Sequence, residues 1–515
     1  MEFEELDLES LIIKDKEYYR KRRNKILIII AIIFGIAAIV VVITILLSIK
    51  RGGKIICIYK TTKDDENINL INKIDDLSFS LIIDEESFSK RKSHTFKKAG
   101  LHKVIFHFKK KFETLGYLFH KLDNLIEIDF SQLVTEKVKS LEYVLNYCRN
   151  LTKVTFDNKT PNLHNMSNMF SESYIINTFN LKLNTSKVTR MDNMFYLNEK
   201  LTSLDLSFFE FDNLENADSM FEHCYSLKKI NFNENTRTKN LKYIYNIFHN
   251  CNSLEHMNTK VFKENKLTDF AGIFQNCFSL KYIDISIFDL SNAISIRYLF
   301  DGCFNLTSVD FSNLKNNHLL EITDSAFSNC HKLISLNFSS FDFSSLKDAS
   351  NMFHNCYELK YIELPNKLSS IIKTNYMFEN CYELTSINLG FLEDTKNWSS
   401  AIGMFKNCKK LKNIIAPKIP ANRLSKLGEM FSGCIDLTEI NLGQLKTLNI
   451  FAISRMFYHC EKLETLNLSK FDTTKVINVT GVLEGVPRSV EIIINKNITS
   501  KIFLEEIEKL KNETI

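Results

Sequence analysis

Eleven of the twelve cysteines fall at one position of a unit that recurs about every 26 residues, and this regularity limits the fold more than any other feature of the chain. In the best copies the unit reads Met-Phe, Cys three residues after the Phe, and apolar residues three, six and eight positions beyond the Cys. Met352, Phe353, Cys356, Leu359, Ile362 and Leu364 form one copy, and Met456, Phe457, Cys460, Leu463, Leu466 and Leu468 another. Anchored on the Phe, the copies begin at Phe119, Leu145, Phe170, Phe195, Phe221, Phe248, Phe274, Phe300, Phe327, Phe353, Phe378, Phe405, Phe431, Phe457 and, degenerately, Leu483, in steps of 25 to 27 residues. No unit of this size can bury its apolar face alone, so like coils must stack into a solenoid. The even steps leave little room for inserted loops, where catalytic groups usually sit.

Leu466 and Leu468 alternate with the strand period of two, and Val188, Met191, Met194 and Phe195 recur at the spacing of a helix face. Each coil is therefore expected to be a short strand, a polar turn and a short helix or 3₁₀ stretch. The expected fold is an α/β repeat solenoid, leucine-rich-repeat-like, over residues 118–490, with a single N-terminal transmembrane helix. Leu101, Val104 and Phe106 read as a first strand without its helix, within a membrane-proximal segment and N-terminal cap at 50–117. Ile492 to Ile494 reads as a last strand. Phe503, Leu504, Ile507 and Leu510 follow at helical spacing, giving a C-terminal cap at 491–515.

Ile26 to Ile49 is a run of 24 uncharged residues, longer than the roughly 20 that cross a bilayer. It exceeds the apolar stretch of a cleaved signal peptide, so an uncleaved signal anchor at 26–49 is expected, preceded by a tail at 1–25. Seven basic residues precede the run between Lys14 and Lys25 and five follow it between Lys50 and Lys63, a small bias toward a cytoplasmic N-terminus and extracellular or luminal repeats. Asp7, Leu11 and Ile12 resemble an acidic-dileucine sorting pattern. The net charge of +5 comes from 66 basic and 61 acidic residues without a basic stripe, which argues against nucleic acid as a partner.

The cysteine column comprises Cys148, Cys224, Cys251, Cys277, Cys303, Cys330, Cys356, Cys381, Cys408, Cys434 and Cys460. In other coils the slot holds Leu122, Ser173 or Asn198, so a small or apolar side chain is expected to satisfy it. Equivalent positions in stacked coils have parallel Cβ vectors at a separation too wide for a disulfide, so these thiols are expected to be reduced and buried. Cys57 lies outside the repeats, where a bridge between chains is conceivable. His223, His249, His331, His354 and His459 neighbour the column at differing offsets, a spacing that does not read as a zinc site.

A polar column between the last two apolar strand positions must face outward. It contains Asp205, Asn231, Asp284, Asp310, Asn337, Glu363, Asn388 and Asn441, and is the candidate binding face. The plainer reading is a solvated ladder of side chains bonded along the stack. Tyr357 and Tyr382, just after column cysteines, are candidate aromatic anchors. Eleven Asn-x-Ser/Thr sequons follow the apolar run, Asn337 among them, in keeping with an extracytoplasmic glycoprotein.

The stretch Leu181 to Phe195, with Asn184, Ser186, Val188, Met191 and Met194, resembles the BspA-like leucine-rich-repeat surface proteins, as do Leu468-Ser-Lys-Phe471-Asp472 and Phe338-Ser-Ser-Phe341-Asp342. The resemblance spans about residues 119 to 490. Coils carrying Thr259-Lys260 or Ala416-Pro417 depart from the signature and are expected to be distorted. The resemblance implies a cell-surface role in adhesion, through a protein or glycan ligand on the repeat face. The alternative is a structural coat or scaffold without a defined ligand. No nucleophile elbow, glycine-rich phosphate loop or paired-carboxylate motif points to an enzyme or a cofactor.

Overall fold

A computed structural model of the chain describes residues 8–50, 52–74, 77–156, 160–174, 179–262, 265, 267–286, 288–311, 317–365 and 368–512, with the side chains of 8–15, 43–50, 179, 180 and 259 left undescribed. Asp7 therefore lies outside the described residues. The first element is one helix, Leu8–Lys50, in which Lys16–Val42 is long and apolar enough to cross a membrane. At 1.5 Å per residue the whole helix is about 64 Å long, so the charged stretch ahead of the apolar run continues the same helix.

Three residues after the end of this helix the chain enters strand Gly53–Thr61, which pairs antiparallel with Gly100–Phe108 on one side and with Leu125–Asp129, the first solenoid strand, on the other. The cap is thus a sheet that runs on into the repeats, joined by Phe79–Ile83 and Glu86–Phe88 at its outer edge. Val104 and Phe106 are buried as expected, whereas Leu101 is 67% exposed. Cys57 points into this core with no exposure at all, which removes it as an interchain bridge, and burial pushes its thiol pKa up.

Within the repeats the column Phe rings form an unbroken stack from Phe170 to Phe457. Neighbouring centroids are separated by distances between 5.3 Å for Phe353–Phe378 and 6.1 Å for Phe431–Phe457. Each fully buried ring contributes on the order of 1.5–3 kcal/mol through the area it removes from water. The strands on the far side pair in parallel within short ladders, as Leu204 with Ile230 and Leu466 with Ile492. Among the described residues no such pairing joins Phe179–Leu181 to Ser203–Leu206 or Ser308–Asp310 to Ser335–Asn337, and 3₁₀ turns Thr259–Phe262 and Leu389–Leu392 interrupt the ladder further, so the distortion expected at Thr259 is present. The Ala416 coil keeps its strand, Asn413–Ile415. Beyond the last strand, Glu491–Ile494, the helix Lys501–Asn512 covers the open end with Phe503 buried.

Among the described residues no coil carries the expected helix. In all fifteen coils the residues two before and two after the anchor have left-handed backbone, with φ between 51° at Arg455 and 75° at Gly302. A single left-handed residue ends an α-helix, and two per coil prevent one from starting. The segment instead turns by bonds between residues three apart, as Met194 N–H to Met191 C=O. Alternate N–H groups reach forward to the next coil, as Met191 to Asn216, Asn193 to Asp218 and Phe195 to Met220. Every coil is thereby bonded to the next along the turn side, including where strand pairing lapses.

Candidate recognition face

The cysteine slot is more specific than its occupants suggested. Each column thiol donates to the carbonyl of the anchor one coil earlier: Cys224 Sγ to Phe195 O at 3.1 Å, Cys303 to Phe274 at 3.0 Å, Cys434 to Phe405 at 3.0 Å. Cys251, Cys277, Cys330, Cys356, Cys381, Cys408 and Cys460 do the same. The substitutes follow the rule, with Ser173 Oγ donating to Leu145 O and Asn198 Nδ2 to Phe170 O. Leu122 occupies the first coil, before which the repeat has no anchor. A donor fills the slot in every coil from Cys148 to Cys460, while the degenerate last coil places the buried Val486 there. All twelve thiols are free and buried, and desolvation raises those of Cys148 and Cys224 to about 12.

The outward column lies where alternation places it. Asp205 is in register with Asn231, Asp284 with Asp310, and Asn337 with Glu363; Asn388 is exposed in a coil without a strand. The reason for Asp and Asn there is local. Asp205, Asp284, Asn337 and Asn441 each accept the backbone N–H two residues on, at 2.8 to 3.1 Å, and so turn the chain out of its strand, while Asn388 makes the same bond to Gly390 N–H to cap the 3₁₀ turn Leu389–Leu392. Along the stack Asn337 Nδ2 also donates to Glu363 Oε2 at 2.6 Å. An extended amide ladder does exist, but on the turn side, in the left-handed slots after the anchor. Asn355, Asn380 and Asn407 each donate to the preceding member, beginning at Asn329, over 2.7 to 2.8 Å.

Two shallow grooves open on the strand face. One of about 340 Å³ lies between Asp310, Asn337 and Ser339, and one of about 280 Å³ between Ser339, Glu363 and Asn388. They share Ser339, so Asp310, Asn337, Ser339, Glu363 and Asn388 border adjoining grooves whose walls also include Phe311, Ile362 and Phe391. Tyr357 and Tyr382 are half-buried members of a ring stack, Phe278, Phe304, His331, Tyr357 and Tyr382, with centroids 4.5 to 5.1 Å apart. Lys409 Nζ covers the last ring at 4.4 Å. Their faces are occupied by each other, so they offer edges rather than faces to a ligand.

The other histidines have local partners, His354 with Glu379 at 3.0 Å and His459 with Glu461 at 3.0 Å. His223 and His249 come together around Glu222. Reading the spacing missed this grouping because Glu222 and His223 reach across a coil boundary to a histidine at a different offset.

Residues 270–401 match the BspA type leucine rich repeat region in six copies, and residues 113–235, 139–262 and 373–497 match a family described as a Mycoplasma protein of unknown function, DUF285. No curated protein matches the chain. Among solved structures, a leucine rich cell surface protein from Faecalibacterium prausnitzii aligns at 16% identity, over 64% of this chain and 87% of its own, with a TM-score of 0.32. A leucine-rich repeat protein from Eubacterium ventriosum aligns at 15% identity, over 72% and 84% of the two chains, with a TM-score of 0.29.

Proposed function

Because this chain belongs to the BspA-type leucine-rich-repeat family, we propose that it is a single-pass, membrane-anchored surface protein whose strand face recognises a protein or glycan. The observation that carries this reading is the pair of adjoining shallow grooves bordered by Asp310, Asn337, Glu363 and Asn388, where Asn337 and Asn388, already held by backbone bonds, present their remaining groups outward. Preorganised polar groups lose little freedom on binding, which favours affinity without a deep pocket. The helix Lys16–Val42 supplies the anchor, and the basic residues ahead of it favour a cytoplasmic N-terminus with the repeats outside. No enzyme family is indicated, in line with a recognition role.

The test is saturable binding of the full-length protein in detergent to host cells, matrix proteins and arrayed glycans. Glu363→Arg combined with Asn388→Arg alters two exposed positions and is expected to weaken binding at least tenfold, about 1.4 kcal/mol, with an unchanged far-ultraviolet spectrum. Binding that never saturates, or that the double variant leaves intact, contradicts the reading; the first result would favour a coat or scaffold component.

A further inference from the structure

We propose that Glu222, His223 and His249 form a binding site for one divalent transition-metal cation of the zinc class. The three donors come from two successive coils and lie within 4.8 Å of one another. Glu222 Oε1 is 2.8 Å from His249 Nδ1 and 3.6 Å from His223 Nε2. Tetrahedral ligation with bonds of about 2.0–2.2 Å holds donors about 3.4 Å apart, so two of the three separations need only small side-chain adjustments. The site is sheltered, with side-chain exposures of 12% for Glu222, 22% for His223 and 19% for His249.

His223 offers Nε2 and His249 offers Nδ1 toward the shared Glu222 carboxylate. For Nε2 to bind metal, Nδ1 must carry the proton, and Tyr225 Oη lies 3.0 Å away to accept it. Asn250 Nδ2 is also 3.0 Å from that nitrogen, so its amide must turn its oxygen toward the ring. Asn250 is tied to Asn276, after which the slot passes to Gly302, so this two-member ladder can reverse as a unit. Two imidazoles and one carboxylate suit zinc, copper or nickel and not magnesium or calcium, which take oxygen ligands. Water would complete the coordination.

The chain contains its own control. His354 and Glu379 repeat the His–Glu contact at 3.0 Å, but Asn380 stands where His223 follows Glu222, and Lys406 Nζ lies 3.4 Å from the carboxylate. A cation already occupies that contact.

Isothermal titration of the metal-stripped full-length protein with zinc chloride is expected to give one Zn²⁺ per chain. His223→Asn and His249→Gln borrow the residues that fill the same slots at Asn250 and Gln275, so the fold tolerates them, and each is expected to weaken zinc binding at least tenfold. His354→Gln is expected to leave it unchanged. Absence of zinc binding, equal affinity in H223N and H249Q, or equal binding of magnesium chloride overturns the proposal.

Discussion

Phe327→Ala is expected to lower the stability of the solenoid by about 3–5 kcal/mol, the range for truncating a buried Phe. The ring has no exposed surface and is flanked by Phe300 at 5.4 Å and Phe353 at 5.8 Å, with Phe311 at 6.1 Å and Phe338 at 5.8 Å against its edge. The cavity cannot collapse, because the backbones on either side are tied coil to coil, as Phe300 N–H to Ala326 C=O and Phe327 N–H to Met352 C=O. Since each coil contacts only its neighbours, the loss falls on two interfaces near the middle of the array and can split its unfolding into two steps. Urea denaturation followed by circular dichroism measures it. A change below about 1 kcal/mol would mean that the rings do not form a close-packed column.

Gly53→Val is expected to release the N-terminal cap from the first coil. Gly53 sits at φ +90°, a conformation strained for any side chain, and a Cβ there would press into the Gln132 carbonyl oxygen and lie 2.8 Å from Val134 N and 2.9 Å from Leu133 Cα. All of these are backbone atoms, so no side chain can yield. The bonds at stake are Lys54 N–H to Gln132 C=O at 2.9 Å and Val134 N–H to Gly52 C=O at 3.0 Å. Strain and lost bonds together amount to about 3 kcal/mol or more. Hydrogen exchange is expected to speed up across residues 125–134 while residues 350–460 keep their protection. Unchanged exchange at 125–134 would show that the cap does not dock through this contact.

The Phe, Cys and Leu columns were readable in the amino-acid sequence because burial demands the same residue class in every coil. The strand was readable because Leu466 and Leu468 alternate. The helix was misread at Val188, Met191, Met194 and Phe195, whose spacing fits a helix face equally well when the chain between them turns at Asn193 and Leu197. A corrective signal was present: Asn or Gly fills both flanking slots at Asn246 and Asn250, Gly272 and Asn276, Asn351 and Asn355, Gly403 and Asn407, and Gly481 and Gly485, residues that tolerate left-handed backbone. The cap sheet was not readable, because Gly53–Thr61 finds both partners far along the chain. For the outward column, alternation supplied positions but not bonding, since Asp205 and Asn337 serve their own turns before they serve neighbours.

Central to this account is a dry interior in which every column thiol points inward and donates to the preceding anchor carbonyl. Brief alkylation of the native full-length protein at pH 8, followed by peptide mass spectrometry, tests it most directly. Thiols at about 12, as for Cys148 and Cys224, are almost wholly protonated at that pH as well as shielded. The expected result is no labelling of any of the twelve cysteines until urea unfolds the chain, and labelling of all twelve thereafter. Native labelling of Cys303, Cys330 or Cys356 at the rate of a free thiol would contradict it.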